Sequence, residues 1–381
     1  MLEALRLTRA GNLVQATALL QRTLCGAVVP PSGCDVDADA DQDPNAASSK
    51  NLALHSIAGN PAAVVERKTS AIPPSVSDFR LRRKSLGEFL SLSFSSAAGT
   101  RAYKLYIPSD YRSQPCPLIL MLHGCTQSAD DFAQGTQMNA LAEELTYLVA
   151  YPEQSASANR SKCWNWFSRQ HQQRGRGEPS LVVGITRQIM HDYAVDPQRV
   201  YVAGMSAGAA AAAVVAASYP DLYAALGVHS GIACGLAHDL PSAFAAMKNG
   251  GEGVSASEHH RPQKYNRRPI PTIVFHGDCD TTVHPRNGDR FTDEMLTANC
   301  DKRVETGQVH AGRSYTRTTY IDGGGQSVFE QWMIHGAGHA WSGGSASGSH
   351  TDPQGPDASR EIARFFLSHQ HPDRAAAAER S

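Results

Sequence analysis

Ser206 lies between two glycines in the segment Gly204-Met-Ser-Ala-Gly208, after the apolar run Val200–Ala203. A run of alanines follows it, so the pattern predicts a strand, a tight turn and a helix in that order. A serine on such a turn has a strained backbone, and bulky side chains two residues away would collide with it, which explains the two glycines. The segment therefore predicts a nucleophilic serine. The alternative is a tightly packed helix with an incidental serine.

A serine hydroxyl is a poor nucleophile without a base, and an acid and a histidine follow Ser206 in the order that this chemistry uses. The apolar strand that ends near His276 leads into Asp278 and Asp280. We take Asp280 as the acid and Asp278 as a turn residue beside a glycine, with Asp278 as the alternative. His339 follows another strand on a glycine-flanked loop, and we take it as the base. Other histidines considered for this role are His335, His350 and His369.

Acyl transfer also needs hydrogen-bond donors for a developing oxyanion. The backbone N–H of Ala207, directly after the serine, is one expected donor. The turn His123-Gly-Cys-Thr-Gln127 follows an earlier apolar strand, and the N–H of Cys125 is the second expected donor. The alternative is that this turn is only the exit of a strand.

Alternating strands and helices must position these residues. Apolar runs predict buried parallel strands, and stretches with helical periodicity separate them, so the sequence predicts an α/β fold with helices on both faces of a mostly parallel sheet. The predicted strands are a Gly-linked pair near 93–108 and runs at 117–123, 147–151, 200–203, 225–229, 272–276, 315–321 and 328–334. The predicted helices are 130–145, 181–193, the alanine-rich segment after Ser206, 286–297 and 358–367.

The ends of the chain differ from this pattern. Residues 1–80 are predicted to form an N-terminal extension, a short helical pair followed by a disordered linker rich in Pro, Ser, Asp and Ala. A basic segment, Arg80–Ser85, opens the catalytic domain, which is expected over residues 81–370. Residues 371–381 form a polar tail.

The bulk composition excludes several classes of function. The formal net charge of −1 gives no long-range attraction to nucleic acid or to an anionic membrane surface, and no apolar run reaches a membrane span. No signal peptide is visible, which favours the cytoplasm. The oligomeric state is left open by the sequence.

Aromatic and cysteine residues surround the expected site. Trp164 and Trp166 either bind substrate or fill the core, while Trp341, two residues after His339, is expected to line the cleft. Two disulfides are possible, Cys125 with Cys163 and Cys279 with Cys300, with free thiols as the alternative. The polar insert 250–268 has the composition of a mobile lid. Its adjacent His259 and His260 are not spaced for joint metal binding, so no metal and no cofactor is expected.

The motifs LILMLHGCTQSADDFA, YLVAYPEQ, DPQRVYVAGMSAGAA, TIVFHGDCDTTVHPRN and GAGHAWSGG resemble the polyhydroxybutyrate depolymerase family of esterases, which is close to the feruloyl and acetylxylan esterases. The resemblance runs from about Phe89 to Leu367. It implies an α/β-hydrolase fold, Ser206 as nucleophile, Asp280 as acid and His339 as base. It also implies an oxyanion hole made by Cys125 and Ala207.

The expected function is therefore a serine esterase without a cofactor. Short-chain poly(3-hydroxyalkanoate) or hydroxybutyrate oligomers, or polyester, are the first expected substrates. Feruloyl or acetylxylan esters are the second, and a non-catalytic binding protein or a peptidase are further alternatives. Members of the family are mostly exported, so the resemblance favours an extracellular protein whereas the missing leader favours the cytoplasm, and the compartment stays open. Polymer-degrading members also carry a substrate-binding domain; none is visible here, so we expect soluble esters to be better substrates than solid polymer.

Overall fold

The computed structural model describes three stretches of the chain, residues 87–251, 269–295 and 300–372. Several sequence expectations lie wholly or mostly outside these stretches, namely the extension 1–80, the basic segment 80–85, the insert 250–268 and the tail 371–381.

The strands of the described residues form one ten-stranded sheet and one two-stranded sheet. The large sheet contains β1 (Glu88–Ser96), β2 (Gly99–Ile107), β3 (Cys116–Leu122), β4 (Leu148–Pro152), β5 (Val195–Met205), β6 (Ala225–His229), β7 (Thr272–Gly277), β8 (Asp301–Gln308), β9 (Ser314–Ile321) and β10 (Ser327–Ile334). The small sheet pairs β11 (Trp341–Ser342) with β12 (Thr351–Asp352).

The large sheet has the strand order β1-β2-β4-β3-β5-β6-β7-β10-β9-β8. In this order, the six strands from β4 to β10 are parallel to one another. Two antiparallel strands complete the sheet on each side, β2 and β1 next to β4, and β9 and β8 next to β10. The carboxyl ends of the parallel strands therefore share one edge of the sheet, where side chains from distant parts of the sequence can meet. This confirms the predicted α/β-hydrolase architecture.

Helices cover both faces of the sheet. They are α1 (Ala129–Thr136), α2 (Met138–Leu145), α3 (Gly177–Asp192), α4 (Ala207–Ser218), α5 (Leu240–Asn249), α6 (Arg286–Met295) and α7 (Ala358–Leu367). The core divides into two clusters, because alternate residues of a strand point to opposite faces. Leu118 and Leu120 of β3 join the cluster beneath α3 and α4, whereas Ile119 and Met121 join the cluster beneath α1, α2 and α7.

Helix α4 is buried along nearly its whole length and follows Ser206 directly. Its alanines allow it to lie close against the sheet. The two glycines that flank Ser206 are required by this packing. A Cβ on Gly204 would lie 2.5 Å from the backbone of Gly208, and a Cβ on Gly208 would lie 2.0 Å from the carbonyl oxygen of Leu122.

Several elements differ from the sequence prediction, and α5, β11 and β12 were not predicted. The single helix predicted over 130–145 is two helices, because Gln137 adopts a left-handed backbone with φ of 56° and ends α1 by donating its N–H to Ala133 O. Strand β8 was not predicted, since its side chains are polar and almost all exposed at the edge of the sheet. Within the described stretches, no helix has the length and apolar character needed to cross a bilayer.

The packing around Ser206 makes a prediction about stability. Gly208→Ala should lower the free energy of unfolding by at least about 2 kcal/mol, because the added methyl group meets rigid backbone. Gly323→Ala is the matched control, since a Cβ there meets nothing within 4 Å, and its effect should stay within about 0.5 kcal/mol. Urea denaturation of both variants measures the difference. Equal stability of the two variants would contradict the packing argument.

Candidate active site

Ser206 occupies the turn between β5 and α4 at the carboxyl edge of the sheet. Its φ of 55° and ψ of −121° are strained values for a residue with a side chain. Its N–H donates to His229 O at 2.9 Å, which holds the turn against the neighbouring strand β6. The N–H of Ala207 begins helix α4 and has no acceptor within that helix, so it is free to bind an anion beside the serine.

The turn after β3, residues 123–127, lies next to Ser206. A Cβ built on Gly124 would be 3.6 Å from Ser206 Cβ. The Gly124 N–H donates to the buried Gln127 side chain at 2.9 Å, and Gly124 O lies 2.7 Å from His123 Nδ1. The N–H of Cys125 donates no hydrogen bond within the described part of the chain. This turn thus presents one unused backbone donor beside the serine.

Further bonds fix this turn to its surroundings. Cys125 forms a disulfide with Cys163, and Thr126 N donates to Ser161 O at 2.7 Å. The Nε2 atom of His123 accepts from Gln154 N at 3.0 Å, so its Nδ1 carries the proton and donates to Gly124 O. Burial lowers the pKa of His123, which keeps this imidazole neutral.

Asp280 follows β7 and its carboxylate is fully buried. One oxygen, Oδ1, accepts the N–H groups of Thr282 at 2.9 Å and Val283 at 2.8 Å. The other, Oδ2, lies 2.7 Å from His339 Nδ1 and 3.5 Å from His276 Nε2. Burial by itself raises the pKa of Asp280, but the bonds from His276 and His339 outweigh it, so the pKa lies well below its ordinary value. The group is therefore a carboxylate at neutral pH.

His339 lies on the loop between β10 and β11, and its side chain is 14% exposed. Because Nδ1 donates to Asp280, the lone pair of Nε2 faces away from the carboxylate. The loop approaches the end of β7 closely: Cys279 N donates to Ala337 O at 3.0 Å, and a Cβ on Gly277 would lie 2.2 Å from the same oxygen. The acid and the base are thus carried on two loops that are bonded to each other.

Asp278 has a different partner. Its carboxylate lies 2.9 Å from His335 Nδ1 and accepts the Gly336 N–H at 2.7 Å, and His335 Nε2 lies 2.9 Å from Thr316 Oγ1. Asp278 and Asp280, both in the loop after β7, therefore each hold one histidine of the loop after β10. Within the described residues, no hydrogen bond joins Ser206 Oγ to His339. Such contacts are often long without substrate and tighten when it binds.

His229, the last residue of β6, is a fully buried histidine between the serine turn and the His339 loop. Burial is the main cause that lowers its pKa to about 3, with His276 and His339 acting in the same direction. Its Nε2 accepts the N–H of Ser342 at 2.9 Å, and its Nδ1 lies 3.3 Å from Ser230 Oγ. His229 is therefore a neutral acceptor at ordinary pH.

The three tryptophans singled out in the sequence are buried. Trp164 is 0% exposed and its indole N–H donates to His123 O at 3.1 Å, so it supports the 123–127 turn. Trp166 is 7% exposed and packs edge-on against Phe167. Trp341, expected at the cleft, is only 1% exposed and its N–H donates to Ser359 at 3.0 Å. In this structure their rings fill the interior and offer little surface to a substrate.

The cysteine expectations divide. Cys125 and Cys163 are bonded to each other, whereas the expected pair of Cys279 with Cys300 is wrong. Cys279 is disulfide-bonded, but Cys300 is a free thiol. Cys279 follows β7 at the carboxyl edge, and Cys300 precedes β8, with β9 and β10 in between. Three strand spacings of about 4.8 Å exceed the reach of about 7 Å between the Cα atoms of a disulfide.

Sequence reasoning missed the supporting residues of this site. The signal was present in outline, because His123, His229 and His276 all stand at or next to the carboxyl ends of parallel strands, and all three are buried. Gln127 was missed as well. Its side-chain oxygen accepts from the Gly124 N–H, and its side-chain nitrogen donates to Asp131 and to Ser349 O.

Comparison with known proteins gives concordant findings. A family model described as Esterase PHB depolymerase matches residues 101–318. Poly(3-hydroxyalkanoate) depolymerase C of Paucimonas lemoignei is 30% identical over 253 residues, which cover 65% of this chain and 60% of that protein. Acetylxylan esterase A of Aspergillus oryzae is 30% identical over 230 residues, which cover 57% of this chain and 73% of that protein.

A solved acetyl xylan esterase from Aspergillus awamori superposes with a TM-score of 0.57 at 19% identity, covering 74% of this chain and all (100%) of that one. At this identity the likeness concerns the fold. The chain spans about 60% of the length of the Paucimonas relative.

The buried state of His229 predicts a pH dependence of stability. In the unfolded chain this histidine takes up a proton near its ordinary pKa of 6.5, whereas the folded protein keeps it neutral down to about pH 3. The unfolded state therefore binds more protons between these values, and stability should fall as the pH falls. The contribution of this one group is at most about 1.4 kcal/mol per pH unit.

His229→Gln removes this group, so its free energy of unfolding should depend less steeply on pH between 6 and 4. Urea denaturation of both proteins at several pH values measures the two slopes. His310→Gln, at an exposed position, is the control and should keep the wild-type slope. An unchanged slope in His229→Gln would show that this imidazole does not resist protonation.

Proposed function

The chain belongs to the Esterase PHB depolymerase family, and on this premise we propose that it is a serine hydrolase of carboxylic esters with Ser206, His339 and Asp280 as its catalytic triad. The observation that carries the proposal is the bond between His339 Nδ1 and the buried Asp280 carboxylate. This bond leaves Nε2 of His339 as the acceptor for a proton. The strained turn at the same edge of the sheet supplies the hydroxyl.

In the proposed first step, His339 Nε2 takes the hydroxyl proton while Ser206 Oγ attacks the ester carbonyl carbon. The N–H groups of Cys125 and Ala207 stabilise the negative charge that forms on the carbonyl oxygen. Asp280 stays ionised and stabilises the imidazolium of His339. Its low pKa suits this role, because the group does not have to accept the proton.

In the proposed second step, the tetrahedral intermediate collapses, the carbonyl–oxygen bond to the alcohol breaks, and His339 returns its proton to the leaving alcohol. Water then attacks the acyl-enzyme, His339 takes a proton from it, and the acid is released as Ser206 regains its hydrogen. No cofactor takes part in this sequence.

For the substrate, we propose short-chain poly(3-hydroxyalkanoate) esters, above all hydroxybutyrate oligomers, and polyester. The relative from Paucimonas, named a poly(3-hydroxyalkanoate) depolymerase, supports this choice. The relatives named acetylxylan esterases favour a second candidate, the removal of acetyl groups from xylan. Feruloyl esters of carbohydrate belong to this candidate through the sequence resemblance alone. Release of acid from hydroxybutyrate trimers, polymer film, acetylated xylan and a feruloyl ester would separate the candidates. Turnover of the carbohydrate esters alone would refute the first.

The proposed nucleophile is tested by Ser206→Ala. The variant should lower kcat on a soluble ester by about 10⁶-fold and should not react with a fluorophosphonate probe, because the attacking oxygen is gone. Ser93→Ala, at an exposed serine on the edge strand β1, should react as the wild type does. Near-normal turnover by Ser206→Ala would exclude this mechanism. A wild-type protein that no probe labels would favour a non-catalytic binding role.

The choice between the two aspartates is tested by a matched pair. Asp280→Asn should lower kcat by about 10⁴-fold, because an amide cannot hold and stabilise the imidazolium of His339 as the carboxylate does. Asp278→Asn changes the partner of His335 instead and should lower kcat by less than about tenfold, well under the effect expected of the acid. Steady-state kinetics on one soluble ester measures both. Equal losses, or a larger loss for Asp278→Asn, would overturn the assignment.

A further inference from the structure

The side chain of His229 has no part in the proposed chemistry, yet it is fully buried. Its ring lies between Phe275, at 5.8 Å between centroids and nearly parallel at 10°, and Trp341, at 5.0 Å and 26°. A phenylalanine would fill such a place without burying two polar nitrogens, whose burial is unfavourable unless they are hydrogen-bonded. What distinguishes the imidazole here is therefore the bond that it makes.

That bond joins it to the loop that carries His339. The Ser342 N–H, itself buried, donates to His229 Nε2 at 2.9 Å. Ser342 stands three residues after His339, and the residue between them that packs on His229 is Trp341. One imidazole thus contacts both residues of β11, the strand in which this loop ends, by stacking on Trp341 and accepting from Ser342.

The main chain of His229 is bonded to the serine turn. His229 O accepts the N–H of Ser206 at 2.9 Å, at the point where the Ser206 backbone is strained. The same residue therefore contacts the turn that holds the hydroxyl and the loop that holds the base. Their relative position depends on this residue from both sides.

We infer that His229 is a positioning residue, which sets the distance between Ser206 Oγ and His339 Nε2 by holding Ser342 through its imidazole and Ser206 through its carbonyl. The inference rests on the proposed function. It assigns to His229 no proton transfer and no contact with substrate.

The His339 loop needs such a restraint because its own backbone is permissive. Gly336 and Gly338 precede the histidine and Gly343 follows Ser342, and Gly336 and Gly343 have positive φ values. On the side before His339 the loop is held by Cys279 N bonding to Ala337 O. On the side after it, β11 pairs with β12, and the bond from Ser342 to His229 ties this strand to the end of β6. A displacement of about 1 Å between reacting groups can lower a rate by about 100-fold.

The neutral state of His229 suits this role. Protonation of Nε2 would replace the acceptor by a second donor facing the Ser342 N–H. It would also add a positive charge near His339, which itself becomes positive during the proposed reaction. The groups that act on His229 electrostatically are His276, His339 and Asp280, and with burial the net effect keeps the imidazole neutral above about pH 3.

Two variants separate the ring from the acceptor. His229→Phe keeps an aromatic ring between Phe275 and Trp341 but cannot accept from Ser342. His229→Gln loses the ring but carries an oxygen near the position of Nε2. We expect His229→Phe to lower both kcat on a soluble ester and the rate of fluorophosphonate labelling of Ser206 by about 100-fold, with KM changed by less than about threefold. His229→Gln should recover at least about tenfold of that loss.

Controls make the result specific. His310→Phe, at an exposed position, should behave as the wild type, and circular dichroism with thermal melting should show that each variant is folded. If His229→Phe does not fold, His229→Asn replaces it. Its shorter amide places the oxygen near Nδ1 and not Nε2, so His229→Asn should be much slower than His229→Gln.

Three outcomes would overturn the inference. The first is a folded His229→Phe with kcat and labelling rate within about threefold of wild type, well short of the effect of misplacement. The second is an equal loss of kcat in His229→Phe and His229→Gln, or in His229→Asn and His229→Gln. The third is a loss expressed only as lower thermal stability. Failure of the proposed function would look different, since the wild-type protein would then not be labelled at Ser206.

Discussion

The strained backbone of Ser206 is the constraint on which the rest of this edge depends. A residue with a side chain leaves the ordinary φ range only where its surroundings hold it there. Here the hold comes from the bond to His229 O, from helix α4 beginning at the next residue, and from two glycines that let α4 and the end of β3 approach. Because the turn is fixed, the hydroxyl proposed as nucleophile has one defined position at the edge of the sheet where the loops after β3, β7 and β10 also lie.

A layer of buried polar groups beneath this edge holds its loops in position through hydrogen bonds and close contacts. His123 fixes the peptide between residues 124 and 125, His276 lies against the Asp280 carboxylate, and His229 holds the loop after β10. In a region of low dielectric constant each of these bonds is strong, and each missing partner is costly. Within the described residues, Nδ1 of His276 is a buried nitrogen without a hydrogen-bond partner. The layer therefore supplies rigidity through bonds between loops that are far apart in sequence.

The parallel strands of the sheet and most of its helices were predictable from the sequence, because their apolar runs and helical periodicity are regular. Strand and turn patterns also surround Ser206, Asp280 and His339, which is why these residues could be singled out as candidates. The sequence could not reveal that His229 bonds to a residue 113 positions away, since a histidine at a strand end looks the same whichever partner it has. Strand β8 has no apolar alternation, and its pairing depends on β9 alone. Trp341 was expected beside a substrate, but its loop turns inward and the indole packs between Phe132 and His229.

Helix α4 offers a consequence for how such a scaffold can acquire new substrates. Its first turn lies against the end of β3 without spare volume at Gly208, so enlarging this residue would disturb the serine turn. Adaptation to a different acyl or alcohol group is then expected at exposed residues of the connections, such as 156–158 or 173–176 between β4 and α3, and not at Cys163 or Trp164, which hold the 123–127 turn. A chain built in this way can keep its chemistry fixed while its selectivity drifts, because the two are encoded in different residues of the same connection.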